Sequence, residues 1–206
     1  VNTRRPSKKE YAEHLVLTAL RSNGIVSEQE ICYQRPGSAE EVRKVLHSMS
    51  KERLITAKKL ESNEDLNFYI DSDRLELSAA LQPSLHILSP FDNLLIQRKR
   101  MRRLFAFDYV IECYLPEHKR KFGYFSLPVL YGDCFIARID PKADRQNKKF
   151  YVRNLSFEEK FAGEEQALVL FCERLKSFAA FNGCNKVVIE KSNSKKLQEK
   201  LKKMLK

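Results

Sequence analysis

Ser27-Glu28-Gln29-Glu30-Ile31, followed by Pro36-Gly37-Ser38-Ala39-Glu40-Glu41-Val42, is the stretch whose reading decides the first half of the fold. Each serine stands three residues ahead of a glutamate, the spacing of a capping box, in which hydroxyl and carboxylate satisfy each other's free amides at a helix start. Pro36-Gly37 ends the first of these helices before the second begins. The second carries Val42, Val45, Leu46 and Met49 on one apolar face. Upstream, Tyr11, Ala12, Leu15, Val16, Ala19 and Leu20 recur at helical spacing over Lys8 to Asn23, Gly24 is the natural stop, and Ile25-Val26 is short and extended. Downstream, Leu54 to Leu60 and Leu66 to Ile70 are strand-like runs around the polar tip Glu61-Ser62-Asn63-Glu64-Asp65.

Helix, short strand, helix, helix, hairpin is the winged-helix order, so residues 1–80 are expected to form a winged helix-turn-helix. On its third helix Arg43, Lys44 and His47 point away from the apolar face and are the candidate groove-facing set, with Lys51 just beyond. Glu40 and Glu41 crowd the end of the helix that normally meets the bases, and the expected wing tip carries Glu61, Glu64 and Asp65, all of which repel phosphates and are only partly offset by Lys58 and Lys59. Specific major-groove reading by this unit is therefore the less favoured expectation.

The second half reads as an α+β continuation: residues 81–107 as a helical connector carrying a basic helix, residues 108–206 as an antiparallel β domain with C-terminal helices. Strands are expected over Tyr109 to Leu115, Phe122 to Tyr131, Cys134 to Ile139 and Phe150 to Leu155, a succession that suggests a meander closing into a small antiparallel β-barrel or twisted sheet. Gly163 to Phe181 and Ser194 to Lys206 read as helices, with Lys186 to Glu190 a short strand between them. Ser89-Pro90-Phe91-Asp92 has a capping explanation, Ser89 as cap and Pro90 in the first helical position. Beyond it Leu94, Leu95, Met101, Leu104 and Phe105 trace an apolar stripe on which Arg98 falls, with Asp92 and Asp108 as candidate partners. Lys99, Arg100, Arg102 and Arg103 point to other faces, with no acid between Arg98 and Arg103; a phosphate-binding ridge and a solvated surface are equally good readings.

Two further basic elements stand out. His118, Lys119, Arg120 and Lys121 are expected at a hairpin tip followed by Phe122 and Tyr124, cations for phosphates beside rings that are more readily explained as core. Lys142 and Arg145, with Lys148 and Lys149, belong to a second basic loop. Asp133, Asp140 and Asp144 are read as turn and ion-pair residues and not as a metal set, because Lys142 and Arg145 interleave with them.

Composition agrees with a nucleic-acid partner. The 206 residues carry 38 Lys and Arg against 27 acids, a net charge of +11, and 43% hydrophobic residues are enough for a real core. No apolar run is long enough to span a bilayer and no signal-peptide pattern is present, so no membrane partner is expected and a cytoplasmic location is the default. Cys32, Cys113, Cys134, Cys172 and Cys184 are widely spaced and read as reduced, packed thiols; with no Cys-x-x-Cys pair, scattered histidines and no phosphate-binding glycine loop, no metal or small-molecule cofactor is expected. The first residue is Val1, which suggests a piece of a longer protein.

The block from Ser89 to Arg145 carries an ordered set of motifs: Ser89-Pro90-Phe91-Asp92, Gln97 to Phe105, Phe107-Asp108-Tyr109, Glu112, Tyr114, Pro116, Lys119-Arg120, Gly123-Tyr124, Leu127-Pro128, Gly132-Asp133, Arg138, Asp140, Lys142, Ala143, Asp144 and Arg145. It resembles the C-terminal half of the YcaQ/AlkZ-like winged-helix DNA glycosylases. The resemblance implies a protein of alkylation or interstrand-crosslink repair that acts on damaged duplex DNA. Such enzymes use a Gln-hydrophobic-Gln or Gln-hydrophobic-Asp motif for catalysis, and no such tripeptide occurs here, so this chain is expected to hold DNA without cutting the glycosidic bond. The competing readings are a non-enzymatic winged-helix nucleic-acid-binding or transcription-regulatory protein, and a protein-interaction scaffold whose charge serves solubility.

Overall fold

A computed structural model describes residues 4–60, 63–75 and 82–206, without the side chains of residues 63 and 64. The chain divides into two compact units, Val1–Ala80 with Ile96–Ala106, and Leu81–Leu95 with Phe107–Lys206. Glu61, Ser62 and the Glu64 side chain at the expected wing tip lie outside the described residues, as does the middle of the stretch between the hairpin and Pro83.

Unit 1 begins with α1 (Lys8–Asn23), β1 (Ile25–Ser27), α2 (Glu28–Ile31) and α3 (Ala39–Lys51), and continues into the hairpin β2 (Ile55–Leu60) and β3 (Asn63–Asp71). The three strands form an antiparallel sheet in the order β1-β3-β2. Val16, Leu20, Val26, Val42, Leu46 and Ile55 are buried together between helices and sheet, which is why the 3.6-residue periodicity of α1 and α3 was readable. The caps match expectation at α2 and differ at α3. A complete capping box opens α1, where Glu10 N–H donates to Ser7 Oγ at 3.2 Å and Ser7 N–H to Glu10 Oε2 at 2.7 Å. At α2 the expected capping box of Ser27 and Glu30 is present, with Ser27 N–H donating to Glu30 Oε2 at 3.0 Å. At α3 other bonds replace the box: Ser38 Oγ donates back to Arg35 O at 2.8 Å and Glu41 turns to Lys44.

The stripe expected from Leu94 to Phe105 is broken in two. α4 (Asn93–Ile96) is capped by Asp92, whose Oδ1 accepts from Leu94 N–H at 2.9 Å, while Ser89 Oγ serves a tighter turn by accepting from Phe91 N–H at 3.2 Å. Gln97 leaves the helical region, with φ −90° and ψ 84°, and α5 (Arg98–Phe105) starts with a new phase. This reset corrects the sequence reading: Arg98 is exposed and Arg100 is the buried arginine, at 2% exposure. The partner of Arg100 is Glu30, whereas the sequence offers Asp92 and Asp108 as candidates for Arg98.

Unit 2 is an open five-stranded sheet, not a closed barrel, in the order β4-β5-β6-β7-β8. Its strands are β4 (Leu85–Ile87), β5 (Leu127–Tyr131), β6 (Cys134–Asp144), β7 (Lys149–Phe157) and β8 (Lys186–Ser192). β4 to β7 pair antiparallel, and β8 pairs parallel with β7 after a crossover through α6 (Glu165–Phe181). A parallel neighbour needs such a crossover, because a short turn can only reverse the strand. Leu168, Phe171 and Leu175 of α6 and Leu201 of α7 (Lys195–Met204) close the core over Val152, Leu155 and Ile189. Pro141 sits in the middle of β6 at a bulge, where the ladder needs no amide from it.

Tyr109 to Leu115 is not a strand, and Phe122 to Ser126 does not extend β5; the edge next to β5 is taken by β4, from the stretch read as connector. The alternation in Tyr109 to Leu115 has another cause. Tyr109 is anchored by its hydroxyl, which donates to Ser126 O at 2.8 Å, and Glu112 is buried as a hydrogen-bond acceptor for a neighbouring turn. Side-chain to backbone bonds thus replace a ladder. Glu117–Lys119 is one turn of 3₁₀ helix, so the expected β-hairpin tip is a helical turn.

Candidate nucleic-acid interface

In unit 1 the α3 cations expected to face a groove, Arg43 and Lys44, are already engaged. Arg43 holds Glu28 through two bonds, Nη2 to Oε1 at 2.7 Å and Nε to Oε2 at 3.1 Å. Lys44 Nζ lies 2.8 Å from both Glu40 and Glu41. These partners raise the pKa of Arg43 and Lys44, and Lys44 in turn holds the Glu40 carboxyl below its ordinary range. His47 is exposed one turn further on. Glu40 and Glu41, two of the acids that argued against phosphate binding in the sequence, neutralise Lys44, while Arg43 is neutralised by Glu28 from α2.

α5 is different. Its buried Arg100 donates from Nη1 to Glu30 Oε2 and to Ile25 O, each at 2.7 Å, and from Nη2 to Asn23 O at 3.2 Å. Gln97 Nε2 adds a bond to Glu30 O at 3.2 Å. These bonds clamp α5 against the ends of α1 and α2 and take Arg100 off the surface. Arg98, Lys99 and Arg102 remain exposed, and Arg103, half-buried, donates to Gln29 Oε1 at 2.9 Å. Arg98, Lys99 and Arg103 line a cleft of about 440 Å3 with Gln29, Tyr33 and Gln97. A concave site with three cations, amide groups and a ring has the chemistry to hold a phosphodiester strand.

In unit 2 the turn bearing His118, Lys119, Arg120 and Lys121 is held from below by two buried carboxylates. Glu112 Oε2 accepts from Phe122 N–H at 2.8 Å and Gly123 N–H at 3.2 Å; Asp140 accepts from Tyr124 N–H at 3.2 Å and Phe125 N–H at 3.1 Å. Asn154 Nδ2 donates to Phe122 O at 3.0 Å. Gly123 has φ +128°, and a Cβ there would lie 2.3 Å from Asp140 Oδ2, so only glycine fits. Arg138, buried and bonded through Nε to Glu158 at 2.8 Å, is sandwiched between rings, its guanidinium carbon 4.3 Å from the Phe107 centroid and 4.1 Å from that of Phe122. Glu112, Gly123, Arg138 and Asp140, motif residues of the sequence, thus form one brace. His118, Lys119 and Lys121 are exposed on it, and Arg120 is half-buried, its Nε donating to Leu115 O at 2.9 Å.

Lys142 and Arg145 are both exposed, Lys142 on β6 opposite Tyr151 and Arg145 in the β6–β7 turn. Asp144 shapes that turn by accepting from Asn147 Nδ2 at 2.8 Å and N–H at 3.0 Å, bonds that hold its carboxyl below the ordinary range. With Asp140 and Asp144 so occupied, their oxygens serve backbone and turn. Sequence reasoning missed the brace because its four amides are contributed by one short segment to acids that lie on either side of it in the chain. It also missed Tyr124, read as core and found 53% exposed.

Among the described residues no helix is long and apolar enough to cross a membrane. No solved structure matches the chain. The family model described as DNA glycosylase AlkZ-like matches residues 2–178, which takes in all of unit 1 that is described and unit 2 as far as α6. The chain therefore belongs to the AlkZ-like DNA glycosylase family, a family of DNA repair whose substrate is DNA.

Proposed function

We propose that this chain is the DNA-holding part of a winged-helix DNA glycosylase acting in alkylation or interstrand-crosslink repair, and that it does not itself break the glycosidic bond. The observation that carries the reading is the family match over residues 2–178 in a sequence without any Gln-hydrophobic-Gln or Gln-hydrophobic-Asp tripeptide. The element order of unit 1 and its β1-β3-β2 sheet support a winged helix. In the reaction class concerned, the bond between base and C1′ breaks, water adds its oxygen to C1′, and a protein group takes the water proton while the base leaves. That step needs an acceptor beside the sugar, a role the resemblance gives to the missing motif.

Each unit contributes its own set of DNA-binding cations: Arg98, Lys99, Arg102 and Arg103 on unit 1, and His118, Lys119, Arg120, Lys121, Lys142 and Arg145 on unit 2. Arg43, Lys44 and His47 contribute less, since the first two are spent on Glu28, Glu40 and Glu41. Those ion pairs also weigh against the alternative of a regulator that reads an operator with α3. The test is a salt series with duplex DNA and the 206-residue chain, followed by incubation with a duplex containing N7-methylguanine. Binding that weakens steeply with salt, without release of the base, is expected. Release of N7-methylguanine overturns the non-catalytic part, and salt-independent binding overturns the electrostatic part.

A further inference from the structure

Of the three rings on the braced turn of unit 2, Phe122, Tyr124 and Phe125, Tyr124 is the exposed one, and unlike the exposed Phe91 and Tyr114 it sits on backbone bonded to the buried carboxylates. Phe107 is buried, stacked on Phe135 at 4.1 Å between centroids, with Arg138 on it. Phe122 has Arg138 at 4.1 Å and Lys121 Nζ at 5.0 Å. Phe125 is half-buried against Phe91. Tyr124 is 53% exposed, with the Arg120 guanidinium carbon 4.9 Å from its centroid. An exposed tyrosine on a surface loop is ordinary when its backbone is loose. Here the backbone is fixed on both sides of the ring, because the amides of Tyr124 and Phe125 both donate to buried Asp140 and those of Phe122 and Gly123 to buried Glu112. Arg120 is likewise tied to Leu115 O. Such a ring stacks on a partner without first losing backbone freedom, and the cation beside it suits the phosphate of a nucleotide whose base lies on the ring.

We infer that Tyr124, backed by Arg120 and set by the Glu112–Asp140 brace, is a stacking platform for a single unstacked DNA base, giving this chain a preference for duplexes with an extrahelical nucleotide over fully paired ones. The inference rests on the DNA-holding function proposed above and adds the feature of DNA that is recognised. A base inside a duplex has both faces covered and offers nothing to the ring; a displaced base offers one at little unstacking cost.

The experiment measures binding of the 206-residue chain to two labelled duplexes of equal length, one fully paired and one with a single bulged 2-aminopurine. The chain is expected to favour the bulged duplex by about tenfold, the order of one base–aromatic stack, and to change the 2-aminopurine emission on binding. Tyr124→Ala removes both the preference and the emission change while leaving affinity for the paired duplex and the urea midpoint nearly unchanged; Tyr124→Phe keeps them. Equal binding of both duplexes by the unaltered chain, or a preference that survives in Tyr124→Ala, overturns the inference and leaves the DNA-holding function standing. Failure to bind either duplex overturns both.

Discussion

Arg100 and Glu30, separated by 70 positions in the chain, form a buried ion pair 2.7 Å long in which both side chains are at most 4% exposed. The pair closes a site in which the same guanidinium also serves Ile25 O and Asn23 O. Truncating one partner strands a charge in a place it cannot be hydrated. Arg100→Ala is expected to lower unfolding stability by about 3–5 kcal/mol. Glu30→Gln, which keeps a neutral acceptor, should cost less. Urea denaturation of the full chain checks the ranking; equal losses would show that the charge of Glu30, and not merely an acceptor, is what Arg100 needs.

Gly123→Ala should disturb the turn more than its one methyl suggests. The new Cβ lands on the Asp140 carboxylate and the residue keeps a φ of +128°. Holding a side chain in such a backbone region costs on the order of 1–3 kcal/mol, and displacing Asp140 releases the amides of Tyr124 and Phe125 as well. A fall in thermal midpoint, with weaker amide-exchange protection at residues 122–125, is expected. Unchanged protection there would mean that the brace is not what fixes the turn.

Acid stability should depend on Glu10 and Asp144. Hydrogen bonds from Ser7 and from Asn147, respectively, hold their folded-state pKa below ordinary values of 4.5 and 3.8. A lowered folded pKa means that the contribution is complete above the ordinary value and disappears as pH falls through the folded one. Glu10 is exposed and Asp144 only half-buried, so each contribution is screened. Urea midpoints of Glu10→Gln and Asp144→Asn should fall less than the parent's between pH 5 and about 2. At the alkaline end burial raises the Cys172 thiol to about 11 from 9.0, so its contribution is present below pH 9 and lost toward 11. Cys172→Ala should flatten that limb.

Neutralising cations should separate the two faces of unit 1. The triple replacement Arg98→Gln, Lys99→Gln and Arg103→Gln is expected to weaken duplex binding and lower the slope of log K against log salt by about 1 for each phosphate no longer neutralised. Arg43→Gln with Lys44→Gln should do little. Glu40→Gln with Glu41→Gln should strengthen binding if α3 faces DNA, since Lys44 is then released. A larger effect from α3 than from α5 would reverse the assignment.

The pattern of legibility follows from where each signal is stored. α1, α3, α6 and the hairpin of unit 1 were readable because their burial is periodic and their stops, Gly24 and Gly183, are local. Arg98 was misplaced for Arg100 because one non-helical residue, Gln97, resets a phase that periodicity carries straight through. Tyr109 to Leu115 imitates a strand because two of its residues are anchored by bonds to distant backbone. The cations of the candidate surface were plain in the sequence, but whether each was engaged was not. Glu28 lies 15 positions from Arg43, and only folding brings them together.

The parallel pairing of β8 with β7 bears on how the chain is made. β7 finds its antiparallel neighbour as soon as the β6–β7 turn forms, yet its other edge has to wait until α6 and Lys186–Ser192 have left the ribosome, a delay of a few seconds at ordinary synthesis rates. For that interval a nascent strand displays a row of unsatisfied amides beside Val152 and Leu155, the kind of edge on which unfinished chains clump. Messenger features that slow translation within β8 would therefore lower the soluble yield of this protein, whereas slowing before β6 would not.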